Sequence, residues 1–326
     1  MLRSLARPSL CSKARSRFDL PQLFQLFNVF NFFRMFRGTF TALVTPFRNG
    51  AIDVGAFEKL IENQIAAGIT GIVAVGTTGE SPTLSHEERQ ELIRLAVATA
   101  KKRCQVLAGT GSNATQHAVA DTKMAEKLGA DGALLVAPYY NKPSQEGLFR
   151  HFKTIADATA LPIMLYNIPG RCGVDIASDT VTRLATECRN IVTIKEASGS
   201  VERVSELRAR LPESFAILSG DDSLTLPFMS VGALGVVSVA SNLFPTEVCA
   251  LVRAYECGDT KLAFNLHHKM FPLFKDLFIE PNPVPVKTAL GWRGAMSGEV
   301  RLPLCEMNEA NQARLRRTLE EFERQK

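Results

Sequence analysis

The amino-acid sequence predicts an α/β protein, a closed (β/α)8 barrel with a C-terminal helical appendage. Two observations carry that expectation. Eight short apolar runs alternate with longer amphipathic stretches, and polar, reactive residues gather at the carboxyl edges of those runs. The runs are FTALVTPF (40–47), GIVAVG (71–76), QVLAG (105–109), GALLVAP (132–138), PIMLYN (162–167), IVTIK (191–195), FAILSG (215–220) and LGVVSV (234–239). Between them lie helical patterns such as SHEERQELIRLAVATAKK (85–102), where Ser85 and Glu88 have the spacing of a capping box, and ATQHAVADTKMAEKLGA (114–130). An open doubly wound sheet is the alternative. Either fold places its site at the carboxyl ends of the strands. The sequence divides into an extension (1–34), the barrel (35–245) and a helical region (246–326).

The chain of 326 residues is 46% hydrophobic and 22% charged, enough to bury a large core. Its formal charge of +5 is concentrated at the start, where residues 1–37 hold seven basic side chains against Asp19 alone. The remainder is close to neutral, which removes the main support for a nucleic-acid partner. The extension, with its Phe-rich stretch LFQLFNVFNFF, is Arg-rich and acid-poor like an organelle transit peptide; alternatively, Met35 is the true start. A cytoplasmic location is expected, or an organelle if the extension is a genuine transit peptide. Nothing in the sequence reaches the roughly 18 uninterrupted apolar residues that a membrane span needs. Seven scattered cysteines without a C-x-x-C pair, and five dispersed histidines, argue against a disulfide framework and a metal site.

A lysine at the end of the sixth run, Lys195, is out of place in a buried strand. Free lysine has a pKa near 10.4, so only about one amine in a few thousand is neutral at pH 7. Desolvation at a barrel mouth disfavours the ammonium, and a shift of roughly three units restores about a thousandfold in nucleophilic amine. The plainer reading is that Lys195 snorkels, or pairs with Glu196. Its neighbours favour chemistry. Tyr166, one strand earlier, offers a phenol for proton transfer. Thr77 and Thr78 lie in a Gly-flanked turn whose N–H groups suit a carboxylate, and Arg171 suits a second one. Lysine, phenol, hydroxyl and guanidinium together describe a carbonyl-condensing enzyme acting on small carboxylic acids.

The stretches GTTGES, APYYNKPSQEGL, LYNIPGR, IKEAS, LSGDD and EPNPVPVK, in this order from about Met35 onward, resemble the dihydrodipicolinate synthase family of pyruvate-dependent class I aldolases, which includes N-acetylneuraminate lyase. The resemblance implies a barrel in which pyruvate forms a Schiff base with Lys195, becomes an enamine and attacks aspartate-4-semialdehyde. It implies Tyr166 as proton donor and acceptor, Thr77 in the proton relay, and Thr78 on the pyruvate carboxylate. Tyr140 matches a relay residue that reaches in from a neighbouring subunit, which implies a homodimer at least and commonly a homotetramer. Val237 falls where the family contacts pyruvate through its backbone, and Arg171 where it receives the aldehyde substrate. No cofactor and no metal are implied.

Ser81, His86, Asn113 and Tyr139 fall at positions that bind feedback lysine in some members. Arg89 and His117 depart from the histidine and glutamate that other members place there. A cation in place of that carboxylate should weaken binding of an ε-ammonium. Three rival readings are compatible with the sequence. A dehydrogenase is suggested by GTGSNA (109–114), although it follows the third run rather than the first. The others are a non-catalytic carboxylate sensor and a lyase acting on a longer sugar acid or other 2-oxo acid.

Overall fold

The structure is a computed structural model that describes residues 36–324, so the extension and Cys11 lie outside the described residues. Eight parallel strands close on themselves: β1 (Gly38–Ala42), β2 (Gly71–Ala74), β3 (Gln105–Gly109), β4 (Gly132–Val136), β5 (Ile163–Asn167), β6 (Ile191–Glu196), β7 (Ala216–Ser219) and β8 (Gly235–Ser238). Each pairs with its sequence neighbours, and β8 pairs back onto β1. The closed barrel therefore holds, and the open sheet does not. A helix follows every strand: α1 (Val54–Ala66), α2 (His86–Ala100), α3 (Thr115–Lys127), α4 (Gln145–Ala156), α5 (Ser178–Glu187), α6 (Val201–Arg210), α7 (Thr225–Ser230) and α8 (Pro245–Glu256). Helices α9 (Thr260–Asp276), α10 (Val284–Trp292) and α11 (Glu309–Arg324) complete the chain.

Local rules explain the helix starts. Ser85 caps α2 by accepting from the Glu88 N–H at 3.2 Å, while its own N–H donates to the Glu88 carboxylate at 2.9 Å, the reciprocal pair that the spacing implies. Asp53, Ser144 and Ser200 cap α1, α4 and α6 with the side-chain half of that arrangement alone, each accepting from a backbone N–H of the first turn.

Alternation along each strand separates two apolar layers. Inside the barrel, Phe40, Val73, Leu107, Leu134, Met164 and Leu218 fill the lumen. Outside, residues such as Ile72, Ile194 and Ile217 pack under the helices. In β6 the alternation is broken, because Ile163 pairs with Ile191 but Met164 pairs with Thr193. The extra residue is Val192, so Ile191 faces outward while Lys195, four positions on, faces inward. Unbroken alternation would have put Lys195 on the side of Ile191.

Closure depends on a close approach between β1 and β8. Gly235 has φ of +138°, and a Cβ there would lie 2.0 Å from the Gly38 carbonyl oxygen. Gly235→Ala is expected to destabilise the fold by about 3 kcal/mol through strain and lost pairing. A lowered urea midpoint checks this, and an unchanged midpoint contradicts it.

Candidate active site

Adjacent strands β5 and β6 place Tyr166 and Lys195 directly opposite each other in the ladder. Both side chains point into the lumen at the carboxyl end, with exposures of 5% each. The Lys195 Nζ stands 4.1 Å from the centre of the Tyr166 ring. Burial brings the Lys195 pKa down to about 7; the Asp222 carboxylate opposes that fall and the Arg171 guanidinium adds to it. Burial also pushes the Tyr166 phenol well above its ordinary value, so it remains a neutral O–H donor. The amine is thus available as a nucleophile and the phenol as an acid.

Glu196 is not the partner of Lys195. It points to the opposite face of β6, where it is fully buried and accepts from Arg203 Nε at 2.8 Å, the Ser198 N–H at 2.7 Å and Asn167 Nδ2 at 3.1 Å. The outer face of β5 and β6 is pinned by this network while the inner face carries the amine.

The other sequence candidates divide into those at the lumen and those apart from it. Thr77 and Tyr166 line one cavity of about 30 Å3 with Ser81, Arg89 and Gly109. Thr78 is buried, and its Oγ1 accepts from Asn282 Nδ2 at 2.9 Å. Val237 is buried in the lumen on β8. Arg171, in the short helix Pro169–Cys172 after β5, donates to the Asn282 carbonyl at 3.3 Å. Tyr140 stands clear of the cavity, 89% exposed in the single chain and in a left-handed conformation with φ of +73°.

Four residues of the site were not singled out from sequence. Asp222 follows β7, accepts from the Val239 and Ala240 N–H groups at 2.9 and 3.0 Å, and leaves its buried Oδ1 without a partner. Burial raises its pKa to about 6, against the hydrogen bonds from Ser238, Ala240 and Val239. Asn282 bridges Thr78 and Arg171 and also leaves a buried oxygen unpartnered. Glu80 and Lys287 form a fully buried ion pair at 2.5 Å. All four lie within the quoted stretches GTTGES, LSGDD and EPNPVPVK, and those stretches were the signal that could have found them.

At the second candidate site, Arg89 donates to the Ser81 carbonyl at 2.9 Å and to Asp121 at 3.2 Å, and His86 Nδ1 lies 3.6 Å from Asp121. Asn141 links the other two candidates, donating its side-chain amide to the Asn113 carbonyl and its backbone N–H to the Tyr139 carbonyl, both at 2.9 Å. The dinucleotide reading of GTGSNA fails on packing. A Cβ at Gly109 would meet the Val75 carbonyl oxygen at 2.2 Å, so this glycine admits a neighbouring strand end, not a pyrophosphate. Among the described residues, no group of three or more His, Cys, Asp or Glu could hold a metal, and no helix is long and apolar enough to cross a membrane.

A parallel barrel with a desolvated lysine beside a buried tyrosine at its carboxyl end defines a Schiff-base-forming, aldolase-type enzyme. The comparisons narrow the class. The model of the dihydrodipicolinate synthetase family matches residues 35–322, and the chain belongs to that family. It is 51% identical to the 4-hydroxy-tetrahydrodipicolinate synthase of Endomicrobium trichonymphae over 285 residues, covering 87% of this chain and 98% of that one. Among solved structures, the 4-hydroxy-tetrahydrodipicolinate synthase of Methylacidiphilum fumariolicum SolV is similar with a TM-score of 0.88 and 60% identity, covering 89% and 96% of the two chains. The dihydrodipicolinate synthase of Aquifex aeolicus gives 0.87 and 51%, covering 88% and 98%.

The depressed lysine pKa sets a pH dependence. Below about pH 7 the ammonium accumulates, so kcat/KM for pyruvate should fall about tenfold per pH unit and level off above. Initial rates across that range check it; an acid limb absent down to pH 5 would contradict it. If the feedback site lies where the resemblance puts it, inhibition by lysine should be weak or absent, because His117 stands where other members are expected to have a glutamate and Arg89 already engages Asp121. Low-micromolar inhibition in an initial-rate assay would refute this.

Proposed function

We propose that the chain is a 4-hydroxy-tetrahydrodipicolinate synthase, condensing pyruvate with L-aspartate-4-semialdehyde on the route to diaminopimelate and lysine. The observation that carries this reading is the Lys195 amine, buried, held near neutrality and set against Tyr166. The neutral amine adds to the ketone carbon of pyruvate, and the carbinolamine loses water to give an iminium. Loss of a methyl proton yields the enamine. Its carbon bonds to the aldehyde carbon of the second substrate, whose oxygen takes up a proton. The amino group of that substrate then adds to the iminium carbon and expels Lys195, closing the ring and freeing the amine.

Each candidate has a part in this sequence. Tyr166 donates and accepts the protons of carbinolamine formation and breakdown, and Thr77 relays them. Thr78 holds the pyruvate carboxylate, the backbone at Val237 contacts pyruvate, and Arg171 receives the carboxylate of the semialdehyde. Tyr140, exposed in the single chain, completes the relay in a neighbouring copy, so the working enzyme is a homodimer at least, and a homotetramer as a dimer of dimers. It works in the cytoplasm, on small-molecule substrates and without nucleic acid or membrane.

Borohydride in the presence of pyruvate should add the reduced pyruvyl group to Lys195, and Lys195→Ala should abolish both the adduct and condensation. Tyr166→Phe should lower kcat by about a hundredfold or more. Peptide mass mapping and product analysis with the semialdehyde check these outcomes, and a Lys195→Ala protein that still condenses would overturn the reading.

A further inference from the structure

The turn from Val75 to Glu80 is bounded by two non-glycine residues in the left-handed region, Val75 at φ +58° and Glu80 at φ +56°. A β-branched valine rarely adopts that conformation, and such strain persists only where the surroundings over-determine it. The surroundings here are the C-terminal region. Lys287 on α10, fully buried, donates to Glu80 Oε1 at 2.5 Å, and the Arg301 backbone N–H donates to Glu80 Oε2 at 2.9 Å. Two residues earlier in the turn, Asn282 holds the Thr78 hydroxyl. The Lys287 ammonium and the Arg301 guanidinium both lie over the Phe47 ring, at 4.3 and 4.2 Å from its centre. The Arg301 guanidinium is itself anchored, donating to Glu88, to the Thr83 carbonyl and to the Gly50 carbonyl.

We infer that the buried Glu80–Lys287 pair is a positioning device for the reaction, fixing the strained turn so that the Thr77–Thr78 segment presents its groups to the substrate carboxylate. The inference rests on the reading of that turn as the pyruvate carboxylate site. Several features favour positioning over stability. A buried ion pair sacrifices the hydration of both partners, and apolar residues of similar volume often serve stability as well or better. This pair also joins residues 207 positions apart and grips the turn at its strained end. Neither Glu80 nor Lys287 lines the cavity shared by Thr77 and Tyr166, so both act through the turn.

The double variant Glu80→Gln/Lys287→Met removes both charges, keeps an acceptor for the Arg301 N–H and leaves no lone buried charge. It should melt within a few degrees of the unaltered protein. Its KM for pyruvate should rise at least tenfold, while the borohydride-trapped fraction at saturating pyruvate is unchanged because Lys195 is untouched. Lys287→Met alone should melt well below the double variant, since it strands the Glu80 carboxylate. A double variant with unchanged KM for pyruvate would overturn the inference, whatever its melting temperature. A double variant that does not fold would overturn it too, by assigning the pair to stability. Absence of pyruvate trapping in the unaltered protein would instead sink the functional reading, so the two failures are distinguishable.

Discussion

Desolvation of one amine is the constraint on which the rest of the structure depends. A lysine ammonium is among the costliest groups to bury, and the barrel offsets that cost by letting Lys195 release its proton near pH 7. Tyr166 covers it from the neighbouring strand, and the apolar lumen lies beneath. Asp222 tempers the effect, since its carboxylate favours the ammonium and keeps the pKa from falling further. The outcome is an amine that is roughly half neutral where a nucleophile is needed, close to a buried carboxylate able to favour a cationic Schiff base.

Strand geometry makes that possible. The extra residue in β6 reverses which face each later side chain occupies, so Lys195 enters the lumen while Glu196 joins Asn167 and Arg203 outside. One strand end thereby serves two ends. Its inner face carries the desolvated amine, and its outer face carries an ion-paired, hydrogen-bonded network that resists movement of the strand. The β2 turn follows a related logic, with Glu80 tied to the C-terminal helices and Thr78 tied to Asn282. The C-terminal region thus contributes to the site although neither Lys287 nor Asn282 belongs to a barrel strand.

Much of this was legible in the sequence, for definable reasons. Barrel strands are short, apolar and regularly spaced, so all eight runs could be read, and Ser85 with Glu88 marked the start of α2. Lys195 stood out because a charge in such a run violates the usual pattern, and Tyr166, Thr77 and Arg171 followed from their places at strand ends. The bulge at Val192 could not be read, because Ile, Val and Thr are equally at home on either face. The ion pair of Glu80 with Lys287 and the bond from Asn282 to Thr78 join residues more than 200 positions apart, and periodicity carries no information about such pairings. Asp222 was passed over as one of two adjacent acids, since only the folded chain shows which of them turns inward to the β8 end.

The most direct measurement is the titration of Lys195 itself in the unliganded protein, followed by the 13C shift of its ε-methylene carbon and assigned by comparison with Lys195→Ala. A barrel that works by desolvating this amine predicts a midpoint near pH 7. A midpoint near that of free lysine, about 10.4, would mean that the amine is solvated and protonated at rest, and that burial in the barrel does not make it a nucleophile.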